Sequence, residues 1–390
     1  MSNVIVAGVG MTKFVKPGTQ DPYRVMASQA IFEAMDEAGI DAREIGQAYG
    51  SYVYGDSSSA QHAIYANFMT GIPIINVNNN CSSGSSALFL ARQAVASGVV
   101  ECALAFGFEE MRPGALGSVW GDRESPFDKY ADALNRMNYP EGPPGLRMFG
   151  SAGHYYMAKY GTSSEIFAKV AVKTRKHAAN NPRSLLTSPL TVEEVLASEV
   201  VYYDYLTRLM CCPPSCGAAA AIVCSKEFAS RHAISGAVEI IGQSMATDTE
   251  SIWDNPIDLV GAGATRRAAA QAFEQAAIGP EDVQLVELHD CFTPNEVVSY
   301  EALGLCEEGG AQRMIEDGDN TYGGKFVVNP SGGLMSKGHP LGATGLAQCY
   351  ELCRQLRQAA GSRQVDNARI ALQHNIGVPG AAVVTIYRRS

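Results

Sequence analysis

The residue best suited to covalent chemistry in this chain is Cys81, which lies between three asparagines and a serine-rich run. The apolar stretch Ile72–Val77 before it predicts a buried strand, and the small residues after it predict a helix over about 82–97. The free N–H groups at the start of such a helix favour a thiolate, and therefore a nucleophile. The alternative is a small core residue, because cysteine is among the most buried residue types.

A second candidate is His339, within the glycine-rich stretch 332–345. Glycines let the backbone bend tightly and admit a ligand. An imidazole there can take the proton of a thiol and then donate to a developing oxyanion, the two tasks that acyl transfer requires. The alternative is a histidine that caps its own turn. The glycine spacing does not match a dinucleotide-binding fingerprint.

The tetrapeptide 289–292, His-Asp-Cys-Phe, follows an apolar strand candidate, VQLVEL. Residues that leave a sheet at its carboxyl edge can reach a central cleft, so His289 and Cys291 are candidates for the same site. The alternative is a turn in which Asp290 caps the next helix and Cys291 packs in the core.

The loop 373–380 joins two strand candidates, 369–375 and 381–389, near the end of the chain. Gly377 could offer its backbone N–H to an acyl oxygen, whereas His374 is expected to be satisfied within the sheet. Other cysteines, such as the pair one helical turn apart at 349 and 353, are expected to pack. The absence of Cys-x-x-Cys pairs argues against a zinc site, and no metal is expected.

A weak internal duplication indicates how these residues are positioned. The helical pattern from Ala27 through Ile40 is repeated from Thr265 through Ile278, an offset of 238 residues, and each copy precedes a strand candidate. Helices that alternate with buried strands in two copies predict an α/β protein with two similar sheets packed through shared helices. Residues 112–208 fit neither copy and lack long periodicity, so we expect an inserted, partly helical lid.

Composition excludes several classes of protein. Of 390 residues 46% are hydrophobic, so the chain folds around large cores, and its formal net charge of −10 argues against nucleic-acid binding. No window approaches the ~20 apolar residues of a membrane span, and the first residues lack a secretory signal. Ten scattered cysteines suit reduced thiols. The last residues are not a peroxisomal signal. We therefore expect a cytoplasmic protein.

Four segments taken together, NNNCSSGS, ELHDCF, NPSGGLMSKGHPLGATGLAQ and QHNIG, resemble the thiolase superfamily, most closely the sterol carrier protein (SCP2)-type thiolases. The resemblance covers essentially the whole chain. It implies a five-layer αβαβα thiolase fold of two duplicated halves, residues 1–111 plus 209–236 and residues 237–390. An inserted loop domain, residues 112–208, lies over the site. A homodimer or a dimer of dimers is implied as well.

The resemblance also implies roles. Cys81 matches the acylated cysteine, His339 the histidine that activates it, and His289 a residue of the first oxyanion hole. Cys291 replaces the acid/base cysteine that other thiolases carry in the final loop, where this chain has Asn375. The N–H of Gly377 matches a donor of the second oxyanion hole. Coenzyme A is implied as a substrate, with no permanently bound cofactor.

The implied reaction is CoA-dependent thiolytic cleavage of a 3-oxoacyl-CoA to acetyl-CoA, or propionyl-CoA, and a shortened acyl-CoA, in fatty-acid or sterol side-chain breakdown. Two alternatives remain, a CoA-ester retro-aldol lyase of the same fold and a non-catalytic acyl-CoA or lipid carrier. The chain departs from the usual family pattern at Cys216, where an aspartate is common, and at Pro379, in a loop that is otherwise glycine-rich.

Overall fold

The computed structural model describes residues 4–112 and 120–389. Residues 113–119, which belong to the expected loop domain, lie outside the described residues, as do the chain ends 1–3 and 390 on which the targeting expectations partly rest.

Most of the strands belong to the two halves, and a two-stranded ribbon belongs to the loop domain. The strands are β1 Val4–Met11, β2 Gln47–Ser51, β3 Ile74–Val77, β4 Cys102–Glu109, β5 Val200–Tyr202, β6 Leu206–Thr207, β7 Gly217–Ser225, β8 Val238–Thr247, β9 Leu285–Glu287, β10 Val327–Val328, β11 Ile370–Gly377 and β12 Ala381–Arg389.

The helices fall in both halves and in the loop domain. They are α1 Tyr23–Ala38, α2 Ser59–Tyr65, α3 Ser83–Ala96, α4 Asp128–Arg136, α5 Pro144–Tyr160, α6 Glu165–Ala178, α7 Val192–Ala197, α8 Lys226–Arg231, α9 Pro256–Leu259, α10 Ala262–Ala276, α11 Thr293–Ala302, α12 Ala311–Glu316 and α13 Leu341–Leu356.

The expected duplication is confirmed at the level of elements. The first half orders its strands β3-β2-β4-β7-β1 and the second orders its strands β10-β9-β11-β12-β8, the same arrangement in each copy. The starts of β2 and β9, at residues 47 and 285, preserve the offset read from the sequence. The corresponding helices of the two halves, α1 and α10, are each followed by a residue with a left-handed backbone conformation, Gly39 and Ala277 respectively.

One feature of the sheets differs from expectation. The sequence predicted two similar sheets packed through shared helices and no strand pairing between them, but β1 pairs with β8 in antiparallel fashion over three residue pairs, from Val4–Ile240 to Val6–Val238. The described strands of the two halves therefore form one hydrogen-bonded order of ten. The first strand of each half is an edge of its own half, so each leaves backbone groups free to pair with the other.

Helices cover these strands in layers, as the α/β prediction requires. Helix α1 packs on β1, β7 and β4, and α10 packs on β8 and β12. Helices α3 and α13 contact each other and strands of both halves, so they form the shared middle layer. Strand β4 alternates accordingly: Leu104 and Phe106 face the outer core, while Ala103 and Ala105 face the middle core.

The loop domain is more helical than its sequence suggested. Helices α5 and α6 run for 17 and 14 residues, and α5 begins after Pro143 with Pro144 in its first turn. Proline suits this position because the first N–H groups of a helix have no partner within it. The core of this domain is continuous with that of the second half, since Phe149 and Phe167 belong to one cluster with Val286 and Leu372. This packing places α5 and α6 against the elements that carry His289 and Cys291.

Candidate active site

Cys81 lies in the turn between β3 and α3, as predicted. Asn80 before it adopts a left-handed conformation with φ 51°, a backbone state that asparagine tolerates better than most residues. The N–H groups of Ser82 and Ser83 donate back to the carbonyls of Asn79 and Asn80, at 3.2 and 3.0 Å, and close the turn. The Asn80 amide also donates to the Val378 carbonyl at 2.6 Å, which ties the turn to the final loop.

The Cys81 thiol is neutral at rest, contrary to the expectation of a favoured thiolate. Burial first, and then the nearby Glu109 carboxylate, raise its pKa to about 12. Desolvation disfavours the charged form, and here it outweighs the helix N-terminus. A nucleophilic sulfur at this position therefore requires a base that removes its proton.

The structure brings Cys81, His289 and His339 together. The Cys81 sulfur and one ring nitrogen of each histidine all lie within 4.8 Å of one another. The two imidazoles meet edge to face, with centroids 5.0 Å apart and an interplanar angle of 87°. Gly377 completes the group, because a Cβ added to it would overlap the carbonyl oxygen of Asn79 in the Cys81 turn.

Backbone bonds fix the turn that carries His339. Gly332, Gly333 and Gly338 all have positive φ, and His339 follows them just before α13. The His339 N–H donates to Ser215 Oγ at 2.6 Å. The glycine-rich sequence is therefore used for a backbone path that residues with a Cβ would strain.

His339 has the proton arrangement of a base. The Thr344 hydroxyl donates to the Pro340 carbonyl at 2.9 Å, so the 2.7 Å contact between Thr344 Oγ1 and His339 Nδ1 must be donated by the ring. Nε2 then carries a lone pair, and it is buried without a hydrogen-bond partner among the described residues. Burial, with a contribution from Lys337, lowers the His339 pKa to about 3, so the ring is neutral at physiological pH.

His289 and Cys291 lie beyond β9, both buried. Asn375 Nδ2 lies 2.8 Å from His289 Nδ1. Burial lowers the pKa of His289 and raises that of the Cys291 thiol, and the Cys212 and Cys81 thiols raise the latter further. Cys291 is therefore held as a thiol, the form that can donate a proton.

Cys212 is a thiol of this region that sequence reasoning did not assign to the site. Its N–H donates to the Cys291 carbonyl at 2.9 Å, next to an antiparallel bridge between Cys211 and Phe292, so Cys212 lies opposite Cys291. Nothing in the local sequence signals this pairing. Cys216 has another role: its sulfur contacts the backbone N–H and carbonyl of Met111, at 3.1 and 3.4 Å, just beyond β4.

Glu109, at the end of β4, was also missed. Its buried carboxylate accepts the N–H of Tyr54 and Gly342, each at 2.9 Å, and the N–H of Val53 at 3.1 Å. Gly342 lies in the first turn of α13, three residues after His339, so this side chain joins the first half to the His339 turn. Burial raises the pKa of Glu109 to about 7.

Substitution of Glu109 by glutamine should make Cys81 more reactive at alkaline pH. Above about pH 7 the carboxylate is charged and opposes formation of the Cys81 thiolate. A decrease of one pKa unit corresponds to about tenfold more thiolate. We expect iodoacetamide to modify Cys81 about three- to tenfold faster in E109Q at pH 8, as measured by mass spectrometry. The neighbouring E110Q serves as control, and equal rates in E109Q and wild type would contradict the assignment.

The cysteine pair outside the site packs as expected, whereas His374 is only half satisfied, because its Nδ1 has no hydrogen-bond partner among the described residues. His374 is buried, its Nε2 lies 2.9 Å from Thr265 Oγ1, and burial lowers its pKa to about 3. Cys349 and Cys353 pack inside the structure with sulfurs 3.9 Å apart.

Comparison with known protein families identifies the fold. Residues 4–189 match the family described as thiolase, N-terminal domain, and residues 244–389 match the thiolase C-terminal domain-like family. The chain belongs to the thiolase family. The predicted thiolase fold is thereby confirmed.

The chain is similar to several known proteins, of which two relatives and one solved structure are the most informative. The chain is 52% identical to sterol carrier protein 2 of Oryctolagus cuniculus, over 100% of this chain and 72% of the relative. It is 36% identical to the acetyl-CoA acetyltransferase of Methanothermobacter thermautotrophicus over the full length of both. The structure of the Ltp2-ChsH2(DUF35) aldolase matches with a TM-score of 0.83 and 25% identity, covering 98% of this chain and 97% of that one.

Among the described residues, no helix combines the length and apolar character required to cross a bilayer.

Proposed function

We propose that this protein catalyses CoA-dependent thiolytic cleavage of a 3-oxoacyl-CoA to acetyl-CoA, or propionyl-CoA, and a shortened acyl-CoA. The observation that supports this most strongly is that the Cys81 sulfur lies within 4.8 Å of a ring nitrogen of His339, whose Nε2 has no hydrogen-bond partner among the described residues. A weakly acidic thiol beside a neutral base is the pairing that nucleophilic catalysis needs.

In the first half-reaction His339 Nε2 takes the Cys81 proton as the sulfur attacks the 3-keto carbon. The bond between that carbon and the α-carbon breaks, and its electron pair leaves as the enolate of acetyl-CoA. His289 and the now protonated His339 donate hydrogen bonds to the thioester oxygen on which this negative charge develops. Cys291 gives its proton to the α-carbon, so acetyl-CoA leaves and the acyl group remains on Cys81.

In the second half-reaction the Cys291 thiolate takes the proton of an incoming CoA thiol. The CoA sulfur attacks the Cys81 thioester, and the Cys81 thiolate leaves and recovers its proton from His339. The N–H groups of Cys81 and Gly377 are the proposed donors to the acyl oxygen in both half-reactions. CoA is thus a substrate, and the chemistry proposed here uses no resident cofactor.

The experiment that tests this function measures initial rates while both CoA and a medium-chain 3-oxoacyl-CoA are varied. A covalent intermediate between two half-reactions predicts ping-pong kinetics, with parallel double-reciprocal lines. Rates independent of CoA would contradict thiolysis. Cleavage of the matching 3-hydroxyacyl-CoA without CoA would favour the retro-aldol lyase, which acts on a 3-hydroxyl and requires no CoA as acceptor.

The two alternatives have specific support. A solved structure that matches this chain is an aldolase, which supports the lyase as an alternative. The 52% identical relative is named sterol carrier protein 2, which supports a non-catalytic carrier as an alternative. Against both, Cys81 lies beside His339, whose Nε2 has no hydrogen-bond partner among the described residues, and Cys81 is also near enough to the buried Cys291 thiol to raise its pKa. A carrier has no use for these groups.

We also propose that the protein acts in the cytoplasm, in the breakdown of fatty acids or sterol side chains. All ten cysteines are free in the structure, which suits a reducing compartment.

The functional unit is proposed to be a homodimer. Strand β3 is the open edge of the first half among the described strands, and an open edge is a template for pairing with another chain. Near it on the chain, Tyr65 and Met69 are 50% and 73% exposed, high values for apolar side chains. These features support pairing of two copies across β3.

Placement of a charge at Met69 should therefore weaken the dimer. A buried carboxylate without a partner is costly at an apolar interface. We expect M69D to shift the mass measured by sedimentation equilibrium toward one chain, with a dissociation constant raised at least about tenfold. L196D in helix α7, exposed in the loop domain, serves as control. A dimer of unchanged stability in M69D would place the interface elsewhere.

A further inference from the structure

A chain of buried hydrogen bonds runs from the backbone of α13 to the ring of His289. Its members are Gln373, Ser85 and Asn375, all with no exposed surface. Each contact in such a chain has a direction, because a donor must face an acceptor. One end of the chain is a backbone carbonyl, which only accepts, so the direction of every link can be determined.

The first link fixes the amide of Gln373. Its Nε2 lies 2.7 Å from the Gly345 carbonyl and must donate to it, while Tyr387 donates to the Gln373 Oε1. The second N–H of Gln373 is directed at Ser85 Oγ, at 2.8 Å. The Ser85 hydroxyl therefore accepts from Gln373 and keeps its own proton for another partner.

That partner is Asn375. The Ser85 hydroxyl donates to Asn375 Oδ1 at 3.0 Å, which turns the Asn375 NH₂ toward His289. Asn375 Nδ2 then donates to His289 Nδ1 at 2.8 Å. Because Nδ1 accepts, the proton of the neutral ring resides on Nε2.

We propose that Gln373, Ser85 and Asn375 are positioning residues that hold His289 in the Nε2–H tautomer, as a permanent hydrogen-bond donor to the oxyanion. This inference rests on the proposed function for its chemical purpose and deepens it. His339 has the opposite tautomer, with its proton on Nδ1 and Nε2 free. The two adjacent imidazoles are thus differentiated, one as a base and the other as a donor, by what binds their Nδ1 atoms.

The same chain argues against a metal at the site. Cys81, His289 and His339 carry the atom types that zinc binds, within 4.8 Å of one another. A histidine that ligates a metal usually gives its other ring N–H to an acceptor. The Nδ1 of His289 faces an amide donor instead, so metal binding through its Nε2 would require the Asn375 amide, and the chain behind it, to reverse.

The substitution Asn375→Asp tests the proposal because it keeps the size of the side chain and reverses its polarity. A carboxylate can only accept, so it should draw the His289 proton to Nδ1 and leave Nε2 bare. Nitrogen-15 NMR of histidine-labelled protein distinguishes the two tautomers, with the His289 signals assigned by their loss in H289Q. At about pH 8.5, where neutral rings dominate, we expect protonated Nε2 in the wild type and protonated Nδ1 in N375D.

The kinetic readout is kcat for cleavage of 3-oxoacyl-CoA. Loss of one oxyanion donor costs about 10²–10³ in rate, so N375D should fall by about that factor at pH 8.5. The introduced carboxylate favours the charged imidazole and so raises the pKa of His289 relative to wild type. As pH falls and His289 becomes imidazolium in this variant, its Nε2–H returns and the rate of N375D should recover relative to wild type. The other groups whose charge would affect the pKa of His289 are His339 and His374. Their own pKa values are lowered to about 3, so neither ring titrates in the pH range of this experiment.

Ser85→Ala is the second variant, for use if N375D does not fold. It cuts the chain ahead of Asn375, so both tautomers should be present and kcat should fall by a smaller factor. The NMR spectrum of the wild type tests the tautomer even if no cleavage is detected, which separates this inference from the proposed function. Protonated Nδ1 in the wild type would overturn the inference, as would reversal of the tautomer in N375D without loss of kcat.

Discussion

Replacement of Cys81 by alanine is expected to lower kcat for 3-oxoacyl-CoA cleavage by at least about 10⁴-fold, the scale seen when a covalent nucleophile is removed. The reason is that no other described thiol shares its position in the turn between β3 and α3, within 4.8 Å of both histidines. Stopped assays that follow acetyl-CoA release measure the effect.

The matched control is C306A, which removes a partly buried thiol outside the site. C306A should retain wild-type kcat, and both variants should bind acyl-CoA with near wild-type affinity. Cleavage by C81A within tenfold of wild type would contradict a Cys81 acyl-enzyme and assign the reaction to another group.

Replacement of Cys291 by alanine should separate the two halves of the reaction. General acid–base catalysis contributes about 10²–10⁴ in rate, and turnover should fall by that factor. Cys81 should still be acylated when a reactive acyl donor is supplied, because its own base, His339, is untouched. Mass spectrometry of the intact protein detects the acyl group trapped on Cys81. An assay of free CoA should then show that CoA is not consumed, because the acyl group is not transferred to it.

C212A is the informative control for this variant. Cys212 lies opposite Cys291 and its thiol acts on the Cys291 pKa, yet the proposed mechanism gives it no proton to transfer. Its replacement should change kcat by less than about threefold, within the range of modest local perturbation. If C212A lost turnover and C291A kept it, the acid/base role would move to Cys212.

The halves and the location of the site could be predicted from the sequence because they depend on local patterns. The repeated helix and strand candidates, at a constant offset, predicted the two copies that the structure contains. The strand-to-helix setting of Cys81 and the glycines before His339 likewise predicted turns. Each of these signals is carried by residues close together in the chain.

What the sequence did not reveal depends on contacts between distant residues. Glu109 and Gly342 are 233 positions apart, and Ser85 and Asn375 are 290 apart. No periodicity reports such a pairing, so the carboxylate beside Cys81 and the hydrogen-bond chain to His289 emerged only in the fold. The neutral state of Cys81 belongs to the same class, because the degree of burial is set by the assembled halves.

The β1–β8 pairing was missed, and the helical content of the loop domain was underestimated, for other reasons. The pairing joins only three residue pairs of β1 and β8. The hydrophobic pattern of each strand is already explained by packing within its own half, so the sequence carries no further signal for this pairing. In the loop domain, helices α5 and α6 take partners from the second half, so their apolar faces did not resemble either repeat.

The most direct test of the central claim is mass spectrometry of the intact protein after mixing with a 3-oxoacyl-CoA in the absence of free CoA. The proposed function predicts one acyl group per chain on Cys81, with one equivalent of acetyl-CoA released. Addition of CoA should then remove the acyl group as the shortened acyl-CoA. Consumption of the substrate without an adduct, or an adduct on a residue other than Cys81, would contradict it.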